Sequence, residues 1–210
     1  VSNGRKAFVV IDVQNDFLPG GALAVAGGDA IIPVINALQT HFPLVLATQD
    51  WHPPGHASFA SSHPGKKPMD EGEVGGHRQT LWPDHCICGT TGAEFSPDLN
   101  THRFESIFRK GTQAGIDSYS AFQDFGRHYH TGLADYLRGK GVETIYLAGL
   151  ATDFCVYYTA LDALREGFKT CVIRDATRSV DFFAGDGERA LEDIIAKGGM
   201  VLQSDQVQVA

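Results

Sequence analysis

The feature that most constrains the fold is an alternation of short apolar runs with stretches of helical periodicity. Lys6-Ala-Phe-Val-Val-Ile-Asp-Val13 is apolar until Asp12, the pattern of a strand buried on both faces. Leu44 to Thr48, Glu105 to Phe108, Ile145 to Ala148, Lys169 to Ile173 and Met200 to Gln203 read as further strands. Between them lie helical patterns over about Asp29 to His41, Gly132 to Arg138, Phe154 to Arg165 and Asp186 to Lys197, with Asp29 a candidate N-cap. Strands that alternate with helices imply βαβ units and a parallel sheet covered on both sides. The expected fold is α/β: one domain over 1–210, a Rossmann-like three-layer αβα arrangement with a mostly parallel central sheet.

This topology makes a statement about chemistry. Asp12, Asp50, Lys110 and Cys155 each fall at or just beyond the C-terminal end of an expected strand. Ligands of open α/β sheets bind along that edge, so four residues distant in sequence are expected to share one rim. Cys155 also opens the expected helix that follows the 145–148 strand. The positive end of that helix would lower the thiol pKa and favour a thiolate.

Composition narrows the function. The 210 residues suffice for one full core, and a net charge of −8 without a basic patch argues against nucleic-acid or membrane-surface partners. No apolar run is long enough to span a bilayer. The four cysteines, Cys86, Cys88, Cys155 and Cys171, form no disulfide framework, which suits a reducing cytoplasm. Residues 50–103 are poor in periodicity and rich in Gly, Pro and Ser, and five of the nine histidines, His52, His56, His63, His77 and His85, fall between positions 52 and 85 of it. A loop of that length in a compact domain is functional or disordered.

Two constellations can carry chemistry. In the first, Asp12 is a desolvated base, Lys110 a cation and Cys155 a nucleophile. A structural ion pair beside an inert cysteine explains the same residue types equally well. In the second, Asp50 and His52 alternate and so share one face of an extended segment, which Pro53 and Pro54 keep extended. His85 would add a third donor, a set suited to Zn²⁺ or Fe²⁺, with Mn²⁺ also accepted. His56 stays open as a fourth. Phe17, Trp82 and Tyr119 flank these loci and can form a slot for a flat ring. The glycine-rich stretch 19–28 lacks dinucleotide-binding spacing and reads as a turn.

Taken together, Val10-Ile-Asp12-Val-Gln-Asn-Asp-Phe17, Gly21-Ala-Leu-Ala-Val25, Thr48-Gln-Asp50-Trp-His52-Pro, Trp82-Pro-Asp-His85-Cys-Ile-Cys-Gly-Thr90, Phe108-Arg-Lys110-Gly and Gly149-Leu-Ala-Thr-Asp-Phe-Cys155-Val stand in a specific order along most of the chain. In that order they resemble the nicotinamidase branch of the isochorismatase-like cysteine hydrolases. The resemblance implies hydrolysis of nicotinamide, and of pyrazinamide, by a Cys155 nucleophile with Asp12 as general base and Lys110 as thiolate partner. It implies one divalent ion on Asp50, His52 and His85. It also implies a cis Leu150–Ala151 peptide and an oxyanion hole from the Ala151 and Cys155 N–H groups. Phe17, Trp82 and Tyr119 match the ring-binding wall, with Leu23 and Leu150 as neighbours. Residues 61–80 look like a variable insertion over the site, and Phe154 stands where relatives differ and so tunes selectivity. The same resemblance leaves as an alternative an amidohydrolase acting on a carbamoyl or ureido compound. It does not set the oligomeric state, and a homo-oligomer is compatible with it.

Overall fold

A computed structural model describes residues 5–207. The expected unit runs over 1–210, of which 1–4 and 208–210 lie outside the described residues. Six strands form the main sheet: β1 (Arg5–Ile11), β2 (Val45–Asp50), β5 (Phe104–Lys110), β6 (Val142–Leu150), β7 (Lys169–Arg178) and β8 (Met200–Leu202). Their order is β5-β2-β1-β6-β7-β8 and every pairing is parallel. The chain builds outward from β1 through β2 to β5, then returns to build β6, β7 and β8 on the other side. The order therefore reverses between β1 and β6, and a crevice opens beyond their C-terminal ends.

The residues of β1 alternate between the two faces, as the pleat requires. Ala7, Val9 and Ile11 join one buried cluster with Leu133 and Leu137 of α2 (Leu133–Gly139), Ala160 and Ala163 of α3 (Tyr157–Arg165), and Leu191 and Ile194 of α4 (Asp186–Ala196). Phe8 and Val10 join another with Ile32, Ile35 and Leu38 of α1 (Ile32–Leu38). The central strand β1 is thus sealed on both faces, which leaves its C-terminal end free to present a polar group.

Several boundaries differ from the sequence expectation, and the differences have causes. The expected helix over 29–41 divides into a 3₁₀ turn at Gly28–Ile31, α1, and a second 3₁₀ turn at Gln39–His41. Asp29 lies inside the first turn and makes no side-chain cap, so the N-cap assignment is corrected. β7 runs five residues beyond Ile173, to Arg178, because a register irregularity against β6 lets the pairing resume at Thr177. The 50–103 excursion is more ordered than its composition suggests. It contains a hairpin of β3 (Glu71–Val74) and β4 (His77–Thr80) joined by Gly75-Gly76, both at positive φ. Positive φ at both central positions is the requirement of the tight hairpin turn that matches strand twist. The flanking residues are mostly polar, so no alternation marked these strands. Val74, Leu81 and Ala60 give the hairpin a small core of its own.

Candidate active site

The four strand-end residues meet at the crevice. Asp50 and Lys110 are direct register partners at the ends of β2 and β5. Asp12 follows β1 at φ 49°, a left-handed conformation that Asp tolerates better than most residues. The kink ends the strand and leaves the carboxylate between its neighbours. Thr48 Oγ1 donates to Asp12 Oδ1 at 2.6 Å, and Asp12 Oδ2 pairs with Lys110 Nζ at 2.9 Å. Lys110, only 2% exposed, makes four contacts: Asp12, Asp50 Oδ1, the Ser118 carbonyl at 3.2 Å and Cys155 Sγ at 3.3 Å. Donor atoms of Asp12, Asp50 and Cys155 lie within 4.8 Å of one another.

The electrostatics correct one expectation. Cys155 does not open a regular helix. It lies in a single wide turn, Thr152–Val156, that precedes α3, and the Ala151 carbonyl accepts N–H bonds from both Phe154 and Val156. Burial pushes the Cys155 thiol well above its ordinary pKa; Lys110 opposes this, and Asp12 and Asp50 reinforce it. Burial thus opposes the thiolate that a helix end would favour. Burial also raises the Asp12 carboxyl against the pull of Lys110. For Lys110 burial acts downward, but Asp12 and Asp50 together hold the ammonium well above its usual value. The result is a fixed cation between two carboxylates and the Cys155 sulfur.

Asp50 links this cluster to the histidines. Its Oδ1 faces Lys110, and its Oδ2 lies 3.6 Å from His52 Nε2 and 3.7 Å from His85 Nε2. Those spacings are long for hydrogen bonds. Donors bound at about 2.1 Å around a tetrahedral ion sit roughly 3.4 Å apart, so the three atoms fit a common metal. The remaining ring nitrogens are committed elsewhere: His52 Nδ1 to the Gly111 carbonyl at 2.9 Å, His85 Nδ1 to the Pro83 carbonyl at 2.8 Å. Carbonyl acceptors at Nδ1 fix the tautomer and leave both Nε2 lone pairs toward Asp50. Gly111 permits this, since a Cβ there would stand 2.4 Å from His52 Cε1. Gln14 orients Asp50 itself, accepting its N–H and donating to its carbonyl, both at 2.8 Å. His56 is held differently. Its Nδ1 pairs with Ser58 Oγ at 2.7 Å and its Nε2 meets the Gln113 and Ile116 carbonyls at 2.9 and 3.2 Å, which leaves no free donor for the ion.

A partly open cavity lies over both groups. Cys155, Asp50, His52 and His85 form its polar side; Phe17, Leu23, Trp82, Tyr119, Ala151 and Phe154 form much of the rest. Trp82 Nε1 donates to Tyr119 OH at 2.8 Å, and Phe154 meets both rings edge-on. The Leu150–Ala151 peptide is cis. Leu150 itself is a correction: it is buried beneath the site, with its Cδ1 beside Gly28, and does not line the cavity. Sequence reasoning missed Val25, Asp117 and Val180, which do. Asp117 lies in an irregular segment with no periodic signal. Val180 follows β7, and the rule that placed the other residues would have found it had β7 not been cut short.

Comparison with known proteins agrees with this geometry. The isochorismatase domain model matches residues 6–206. The nicotinamidase of Acinetobacter baylyi is 48% identical over 203 residues, covering 97% of this chain and 94% of the relative. The chain belongs to the isochorismatase family. Among solved structures, a nicotinamidase/pyrazinamidase of Acinetobacter baumanii superposes on this isochorismatase-family chain with a TM-score of 0.94 at 50% identity, covering 99% of this chain and all of that one. The pyrazinamidase of Pyrococcus horikoshii in complex with zinc gives 0.78 at 39% identity, over 95% and 99% of the two chains.

Proposed function

We propose that this chain is a nicotinamidase: it hydrolyses nicotinamide to nicotinate and ammonia, a salvage step for pyridine nucleotides, and also deamidates pyrazinamide. The observation that carries the reading is the buried Lys110 ammonium, in contact with Asp12, Asp50 and Cys155, of which Asp50 and Cys155 line an aromatic cavity. The near full-length likeness to nicotinamidases supports it.

A divalent ion held by Asp50, His52 and His85, zinc being favoured by the Pyrococcus relative, would supply a Lewis-acid anchor for a pyridine-type nitrogen. The chain's own residues do the rest. Phe17, Trp82, Tyr119 and Leu23 hold the ring flat, with its carboxamide carbon toward Cys155. Asp12 takes the thiol proton, and the sulfur forms a bond to the carbonyl carbon. The N–H groups of Ala151 and Cys155 stabilise the oxyanion, a contact worth about 3 kcal/mol per donor in other systems. As the C–N bond breaks, Asp12 returns its proton to the departing ammonia. Asp12 then deprotonates a water that attacks the thioester, and the sulfur leaves and regains the proton from Asp12. Throughout, Lys110 keeps its charge beside whichever of Asp12 and Cys155 is ionised. The raised Asp12 carboxyl suits a group that must both take and return a proton.

A reducing, cytoplasmic setting suits this thiol, and all four cysteines are unpaired. None of the helices among the described residues is long and apolar enough to cross a membrane. The carbamoyl-compound alternative finds no favouring observation in walls shaped for a planar ring.

The test is ammonia release by metal-loaded protein. Nicotinamide and pyrazinamide should be turned over, and benzamide, which lacks the ring nitrogen, should be poor. Absence of ammonia from nicotinamide would end the reading, and equal rates for benzamide would end the role given to the ring nitrogen.

A further inference from the structure

The segment after β7 has no part in the chemistry above, yet it is tied to the turn that carries the nucleophile. Asp153 Oδ1 accepts the Val180 N–H at 3.0 Å, and its Oδ2 accepts the Asp181 N–H at 2.8 Å. Asp181, at φ 52°, accepts in turn from the Gly187 N–H at 2.8 Å, which ties the segment to the start of α4. The segment is thereby clamped at two points.

What the clamp presents is an aromatic ring. Phe182 stacks on Trp82 with centroids 5.5 Å apart and planes 22° apart, and meets Phe154 edge-on at 5.8 Å. Trp82 and Phe154 both line the cavity, whereas Phe182 does not and is 39% exposed. Trp82 is otherwise fixed by its N–H bond to Tyr119 and its edge contact with Phe154. The adjacent Phe183 is 77% exposed.

We propose that Phe182 is a positioning residue for substrate selectivity: it braces the Trp82–Phe154 corner, so that the cavity fits a single unsubstituted six-membered ring and rejects larger ones. Without the brace, Trp82 loses its stacked partner on the outer side and the corner can yield outward. A small ring is then held less well, and a bulkier one is admitted. The proposal rests on the nicotinamidase reading, since selectivity is read as turnover of ring carboxamides.

The experiment compares kcat and KM for nicotinamide, 5-methylnicotinamide and quinoline-3-carboxamide in metal-loaded wild type, Phe182→Ala, Phe182→Leu, Phe182→Tyr and Phe183→Ala. Phe182→Ala should raise KM for nicotinamide with little change in kcat. It should move the kcat/KM ratio of the bulkier amides to nicotinamide by about tenfold toward the bulkier ones, the scale of one or two methylene-sized differences in a pocket. Phe182→Leu should fall between alanine and wild type, which keeps the test readable if the alanine variant folds poorly. Phe182→Tyr should restore the wild-type ratio, and Phe183→Ala should leave it unchanged. An unchanged ratio in Phe182→Ala and Phe182→Leu, an equal loss of kcat on all three substrates, or a shift as large in Phe183→Ala would overturn the proposal. No ammonia from nicotinamide with wild type would instead overturn the activity on which it rests.

Discussion

The floor of the cavity and its wall are built by different parts of the chain under different rules. The floor is ionic: Asp12, Asp50 and Lys110 stand at the ends of three adjacent strands, and Cys155 follows a fourth. Each position is set by backbone hydrogen bonding, and each charge is buried against a partner. The wall is aromatic: Phe17, Trp82, Tyr119, Phe154 and the bracing Phe182 come from outside the strands, and all but Phe17 are held to one another by edge-to-face and stacked contacts. Buried charges tolerate little displacement, because an uncompensated one is costly. Aromatic contacts of modest individual strength can adjust to a ligand. The contrast assigns bond-breaking to the floor and discrimination among rings to the wall.

The largest test of that contrast is Cys155→Ala. Turnover should fall on the order of 10⁴-fold or more, as for loss of other catalytic nucleophiles, while binding of nicotinate followed by Trp82 fluorescence persists. Near-normal turnover would remove the sulfur from the chemistry. Lys110→Met should come next, because it leaves Asp12 and Asp50 facing each other without their cation. The denaturation midpoint should report a loss of about 3–5 kcal/mol, and a neutral result would mean that the cluster relaxes as the wall does. Gly111→Ala probes the junction of floor and metal set. The added Cβ displaces His52, so chelator competition should show metal affinity lower by about 10–100-fold, as when an outer support of a ligand is removed. Trp82→Phe, on the wall, should be mildest. It loses the bond to Tyr119 and should raise KM for nicotinamide a few-fold with kcat nearly unchanged.

A pH profile sharpens the same division. Asp12 must be ionised to take the thiol proton, and burial raises its carboxyl above the ordinary value of 3.8. Activity therefore falls as acid protonates Asp12, and the acid limb of kcat/KM should lie above pH 3.8. A limb at or below that value would mean that Lys110 outweighs burial.

The floor was far more legible in the sequence than the wall. A strand buried on both faces declares itself by a continuous apolar run, and the polar residue that ends it, as Asp12 does, is conspicuous; Asp50, Lys110 and Cys155 were placed on the same rim because each falls at or just beyond the end of an expected strand. Asp50 and His52 followed from their alternation, and His85 from its place in the same histidine-rich stretch, which the resemblance reinforced. The wall lacks such periodicity. Asp117 sits in an irregular segment, and Phe182 belongs to a loop whose link to Trp82 spans about a hundred residues of sequence. Leu150 was misassigned because its neighbour Ala151 lines the cavity while Leu150 itself turns into the core. The Gly75-Gly76 turn was present in the sequence, but polar flanks hid its strands. The helix-end argument for Cys155 missed two things the periodicity does not show: the helix opens with a wide turn, and burial of the sulfur acts against ionisation.

The account turns on a covalent bond between Cys155 and the acyl group of the substrate. Rapid acid quench of the metal-loaded enzyme during nicotinamide turnover, followed by peptide mass spectrometry, reads that bond directly. A nicotinoyl group on the peptide bearing Cys155 is the expected result. Ammonia release with the acyl group on another residue, or with the Cys155 peptide unmodified throughout turnover, would contradict it.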